Sequence, residues 1–144
     1  MPVIEIEFGT PEYDESVALR DTILRKPLNM TFDPEVLAKE WTDIHLGYYD
    51  TNFGLVACLI LSPVDEKTMK MRQVAVASRA QGLGIGKQLV QASEEKAAEL
   101  GYKKMICHAR ETAIPFYDKL GYKTVGKPFT EVNIPHAKMQ KTLK

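Results

Sequence analysis

The chain has 144 residues, 44% hydrophobic and 26% charged, proportions ordinary for a globular domain that exclude a disordered or fibrous protein. Its 19 basic and 19 acidic residues cancel and are interspersed, so no net field favours a polyanion such as nucleic acid. One domain over residues 1–144 fits this length, and a chain of this size buries roughly 68–70% of its unfolded surface on folding.

Val3, Ile4, Ile6 and Phe8 alternate with Glu5 and Glu7, the pattern of a strand with one wet face. The same segment lacks the basic start and apolar run of a secretory signal, and a cytoplasmic chain is expected. Glu12 to Arg25 carries Tyr13, Val17 and Leu24 at roughly helical spacing until Pro27 stops it. Asp33 before Pro34 is a favourable cap for a short helix reaching Trp41. His45–Tyr49, Phe53–Leu61 and Thr68–Val76 read as three successive antiparallel strands. The longest apolar run, Leu55 to Leu61, is far short of the ~20 residues of a membrane-spanning helix, so no membrane anchor is expected.

From Ile85 the period changes, with Ile85, Leu89, Ala92, Ala97 and Leu100 on one helical face and Gly101 placed to end it. Met105–Ala109 is the next strand, Thr112–Leu120 a short helix, and Tyr122–Val125 and Lys138–Leu143 complete the chain as strands. The expected fold class is a single α/β domain of the α+β kind. It has a mixed, mostly antiparallel sheet flanked by helices, with a strand-helix-strand unit at its centre. Cys58 and Cys107 lie in strand-like segments without a CxxC pair and read as reduced core thiols.

The chemistry concentrates between the third of those strands and the helix that begins at Ile85, in Gln81-Gly82-Leu83-Gly84-Ile85-Gly86-Lys87. The free N–H groups and positive dipole end of a helix's first turn attract phosphate, and glycines let an anion approach the backbone. A Walker loop would need glycine where Gln81 stands and Ser or Thr where Gln88 stands. A dinucleotide fingerprint would need G-x-G-x-x-G and an acidic residue about twenty positions on, where Lys103 and Lys104 lie. Gln81, Gly84 and Gly86 instead meet Gln/Arg-x-x-Gly-x-Gly/Ala, as Arg79, Gly82 and Gly84 do in a second register. This pattern resembles the GNAT (GCN5-related N-acetyltransferase) superfamily.

Ala113-Ile114-Pro115-Phe116-Tyr117-Asp118-Lys119-Leu120-Gly121-Tyr122 is similar to that superfamily's A-x-x-F-Y-x-x-x-G-F segment. Gly126-Lys127-Pro128-Phe129-Thr130-Glu131-Val132-Asn133-Ile134-Pro135-His136-Ala137-Lys138-Met139 resembles the ElaA-like group within it. The resemblance implies acetyl-CoA as cosubstrate, without a metal, held by the backbone of Val74, Ala75 and Val76 and by the turn from Gln81 through Lys87. It implies that Tyr117 gives a proton or hydrogen bond to the departing thiolate, although a tyrosine on a short helix also reads as half-buried core. Arg110 stands where asparagine is frequent in the superfamily, and it reads either as a phosphate or substrate contact or as a solvated strand end.

An amine attacks only without its extra proton, so a base is needed. Glu131 and His136 are the candidates, each with a bland reading as surface charge or structural hydrogen bonder. His108 reads as structural, and His45 more so. Arg20, Arg25, Phe32 and Trp41 shape an acceptor pocket or belong to core and surface. The function expected is direct transfer of an acetyl group to a primary amine, of a small molecule or of a protein. The alternative is a non-catalytic acyl-CoA-binding or sensing domain. A homodimer is compatible with either.

Overall fold

The computed structural model describes residues 3–52 and 54–143. Phe53, the expected start of the third strand, lies outside the described residues, as do Met1, Pro2 and Lys144. The elements are β1 (Val3–Ile6), α1 (Pro11–Arg20), α2 (Pro34–Ala38), β2 (Ile44–Asp50), β3 (Gly54–Pro63), β4 (Thr68–Val76), α3 (Ile85–Glu99), β5 (Lys104–Arg110), α4 (Ile114–Lys119), β6 (Lys123–Glu131) and β7 (Ile134–Thr142). They build one seven-stranded sheet in the order β1-β2-β3-β4-β5-β7-β6. Every neighbouring pair is antiparallel except β4 and β5, which α3 connects as a parallel crossover.

Helices α1 and α2 start where their caps place them. Thr10 accepts a hydrogen bond from the Tyr13 N–H at 3.2 Å, and Pro11, whose missing N–H costs nothing in a first turn, opens α1. The expected helix to Arg25 is shorter as an α-helix, because after Arg20 the backbone widens into a π-turn over Asp21–Arg25 and then tightens at Lys26–Leu28. Such widened turns recur at functional sites, and this one turns Ile23, Leu24 and Arg25 toward the central cleft. In α3 the buried residues are Ile85, Leu89, Val90, Ser93 and Ala97, whereas Leu100, expected on that face, caps the helix half-exposed.

The two terminal strands are longer than their periodicity suggested. β6 and β7 form a hairpin closed by Val132 and Asn133, with a register shift between Val125 and Phe129. The tail from Gly126 to Met139 is therefore mostly strand. Cys58 and Cys107 are buried and unpaired, as expected, and burial pushes both thiols up to about 12.

One core of Leu59, Leu61, Met69, Met71, Leu89, Val90, Met105 and Met139 fills the space between α3 and the sheet. On the opposite face, beneath α1, sits a charged exception. Arg20 is 1% exposed and makes two 2.9 Å hydrogen bonds to the Glu40 carboxylate, which also accepts from the Tyr13 hydroxyl at 2.7 Å. Burial alone would raise the Glu40 carboxyl, but the hydrogen bonds from Arg20 and Tyr13 outweigh it and hold it below its ordinary value. His45 Nε2 donates to the Glu40 carbonyl at 3.0 Å and is 3% exposed, which makes it structural.

Candidate functional site

The centre of the sheet opens because β4 and β5 pair over only four residues. The parallel ladder runs from Thr68–Lys104 to Met71–Cys107 and goes no further, although β4 continues to Val76 and β5 to Arg110. Gln73 sits at the break with φ 51, a left-handed conformation rare for a residue with a side chain, and the register against β3 shifts there too. The Arg20 guanidinium donates to the Gln73 side-chain oxygen at 3.0 Å, so the buried charge network holds the residue at which the strands part.

Beyond the break, the backbone of β4 faces the gap. The Ala77 N–H donates to the Val56 carbonyl at 2.7 Å, and amides alternate along an extended strand. The amide groups of Val74 and Val76 therefore point away from β3, toward the space that β5 has left. The Val76 carbonyl is taken by the Gln81 side-chain amide at 3.0 Å, which ties the strand end to the glycine turn. Ala75, 1% exposed, turns its side chain into the core.

The turn ends at Gly84, the N-cap of α3, with φ 79 and no side-chain cap. That helix start agrees with the Gln81-Gly84-Gly86 register. Among the described residues the first-turn N–H groups of Ile85, Gly86 and Lys87 have no acceptor, so they present the helix dipole to whatever lies in front. Gly82, Gly84, Gly86 and Lys87 line the cleft; Leu83 projects outward at 68% exposure and Ile85 belongs to the core.

The cleft encloses about 890 Å³, within the range of small-molecule sites. Tyr117 on α4 reaches its wall, with its ring held edge-on by Phe116 and Tyr122 at 5.0 and 5.6 Å. Its hydroxyl makes no hydrogen bond to another described residue. Burial, and to a lesser degree nearby Cys107, push its pKa well above that of an ordinary tyrosine.

Glu131 and His136 come together, and His108 joins them. Glu131 accepts from His108 Nδ1 at 3.2 Å and lies 3.7 Å from His136 Nε2. The His136 Nδ1 is 2.8 Å from the Ile134 carbonyl and so carries a proton, and Phe129 packs against both imidazoles. His136 is 4% exposed, with Nδ1 held by the Ile134 carbonyl and Nε2 beside Glu131 beyond hydrogen-bond distance. His108 keeps Nε2 available, and its local sequence looked merely structural because its partner is 23 residues away. Of the suggested acceptor-pocket residues, Arg25 lines the cleft and packs over Phe32, Arg20 is buried in its ion pair, and Trp41 is exposed away from it. Lys70 and Arg72 also line the cleft and were missed; their signal was two cations alternating with methionines in a central strand.

The sequence model of the acetyltransferase (GNAT) domain family matches residues 37–143. The uncharacterized N-acetyltransferase YjcF of Bacillus subtilis is 34% identical over 73 residues, which are 50% of this chain and 52% of that protein. The chain thus spans about half the length of the curated relatives it matches first. Two solved structures share the fold. Escherichia coli ElaA does so with TM-score 0.80 at 18% identity, covering 98% of this chain and 99% of that one. An aminoglycoside 6'-N-acetyltransferase complexed with coenzyme A gives 0.81 at 20% identity, over 99% and 97%.

Proposed function

This chain belongs to the GNAT acetyltransferase family, and from that premise we propose that it binds acetyl-CoA in the gap between β4 and β5 and acetylates a primary amine directly. The observation that carries the reading is the parting of the two strands at Gln73, which leaves a strand edge unpaired beside an uncapped helix start. An extended pantetheine arm fits the Val74–Val76 edge as an added strand would. A diphosphate fits the N–H groups of Ile85, Gly86 and Lys87. When bound, acetyl-CoA supplies an acetyl group activated as a thioester.

The chain's own groups supply the rest. His108 Nε2 takes the proton that the amine loses as its lone pair attacks, and Glu131, bonded to Nδ1, sets the tautomer that leaves Nε2 basic. His136 positions Glu131. Tyr117 donates a hydrogen bond to the sulfur as the carbon–sulfur bond breaks.

Incubation with acetyl-CoA and an amine panel, followed by free thiol, tests the proposal. Turnover is expected on at least one amine, and His108→Gln is expected to lower kcat by about 10²-fold. Glu131→Gln should fall by less and shift the pH profile, because an amide still bonds Nδ1 but carries no charge. Acetyl-CoA that raises the melting temperature with no turnover on any amine would favour a non-catalytic binding domain.

The two glycines of the turn differ in a measurable way. Gly84 has φ 79, so Gly84→Ala is expected to cost about 1–2 kcal/mol of stability and to raise the KM for acetyl-CoA several-fold. Gly86 is helical and an added Cβ would meet Phe116 at 3.5 Å and Val76 at 3.6 Å, ordinary contacts, so Gly86→Ala should leave both nearly unchanged. Equal losses in the two variants would argue against the cradle.

A further inference from the structure

The register of the central strands sorts the charges of the cleft onto one face. Lys70 pairs with Ile106 and Met71 with Cys107, while His108 pairs with Lys138 and Arg110 with His136. Side chains of paired residues share a face and alternate along each strand. Lys70, Arg72, His108, Arg110 and His136 therefore look one way, and Met69, Met71, Met105 and Cys107 look the other, buried under α3. Glu131, two residues after the Phe129 that pairs with His136, joins the first group. This is the face that the Ile23–Leu28 segment borders, opposite to α3.

The lining cations on this side are Arg25, Lys70, Arg72 and Arg110, against the single lining carboxylate of Glu131. Arg72 is answered by Asp43 at 3.6 Å. Among the described residues Arg25, Lys70 and Arg110 make no salt bridge, and Glu131 bonds His108 through one oxygen while the other lies 3.7 Å from His136 Nε2. Lys70 is also half-buried, and burial lowers its pKa while Glu131 pulls the other way. A half-buried cation without a bound counter-charge is costly, and a ligand anion removes that cost.

A diphosphate does not supply that anion. Lys70 lies six residues before Val76, roughly 20 Å along the strand, and the glycine turn is farther still. Lys70 therefore serves the acceptor end, and Arg110 lines the same cleft.

We infer that the acceptor carries a carboxylate beside its amine. It is an amino-acid-like substrate whose carboxylate meets Lys70 and Arg110, whose apolar skeleton lies against Leu24, Leu28 and Met30, and whose amine reaches His108. The inference rests on the acetyl-transfer reading of the same cleft. A polycation such as an aminoglycoside would bring like charge to Lys70 and Arg110.

The test compares L-leucine, L-methionine and L-phenylalanine with their carboxamides, which differ only in the charge of that group, and with kanamycin. Carboxamides have the less basic amine and so the more reactive population near neutral pH, so chemistry alone favours them. The amino acids are nevertheless expected to have kcat/KM higher by about tenfold or more. Lys70→Gln and Arg110→Gln should each shrink that ratio several-fold, with acetyl-CoA still raising the melting temperature of both variants. A second readout needs no turnover: with CoA saturating, N-acetyl-L-leucine should raise the melting temperature and N-acetyl-L-leucinamide should not. Carboxamides or kanamycin used as well as the amino acids would overturn the acceptor class and leave transfer standing. The N-acetyl-leucine shift without turnover on any amine would support the carboxylate site and overturn transfer instead. Absence of both overturns the inference.

Discussion

Tyr117→Phe is expected to lower kcat by about 10²–10³-fold with little change in the KM for acetyl-CoA, the scale on which one hydrogen-bond donor to developing charge acts. The ring packs edge-on against Phe116 and Tyr122, while the hydroxyl has no partner among the described residues, so its removal leaves the packing intact and the melting temperature unchanged. At reference values a phenol near 10 giving its proton to a thiolate near 8.5 is uphill by about 2 kcal/mol. Burial raises the Tyr117 pKa and widens that gap, so the proposed mechanism gives the residue a hydrogen bond to the sulfur rather than complete proton transfer. A raised pKa keeps an acid protonated to higher pH. The kcat profile should therefore show no loss near pH 10, where an ordinary tyrosine would ionise. An alkaline limb there that disappears in the phenylalanine variant, or unchanged turnover in that variant, would remove the assignment.

Glu40→Ala is expected to cost about 3–5 kcal/mol, because it strands the Arg20 guanidinium in the interior with its charge unanswered. For a chain of this size that is a fall in melting temperature of about 10–17 °C. The Glu40 carboxyl is held below its ordinary value, so its contribution is complete above the unfolded pKa and is lost as pH falls through the folded one. The effect extends to the cleft through the 3.0 Å hydrogen bond from Arg20 to Gln73. Replacing the pair by apolar residues, Arg20→Met with Glu40→Leu, is expected to recover much of the stability. The KM for acetyl-CoA should stay raised, since nothing then steadies Gln73. Recovery of both in the double variant would show that the network serves stability alone.

Much of this site was written in neighbouring residues. The glycine turn and the start of α3 follow from the order of Gln81, Gly84, Gly86 and an apolar helical period, and α1 from Thr10, Pro11 and an acidic first turn. The segment containing Tyr117 was legible as a motif, whereas the freedom of its hydroxyl was not. Turn chemistry misled at the last hairpin. Val132 and Asn133 both take positive φ, which a sequence announces with glycine, and here a β-branched residue occupies the first place. The strands on either side consequently extend further toward the turn than their periodicity predicts.

By itself, then, the sequence determined the local devices: caps, turns, helical faces and the position of the glycine turn before α3. Each depends on φ preferences and hydrogen bonds among residues a few positions apart. Only the tertiary structure decided where β4 leaves β5, that Glu131 bonds His108 and lies beside His136, and that Lys70 and Arg110 share a face with both histidines. Those outcomes turn on strand register and on a buried ion pair between Arg20 and Glu40, 20 residues apart. Pairing across a sheet assigns each side chain its face and its partners, and no local pattern carries that information.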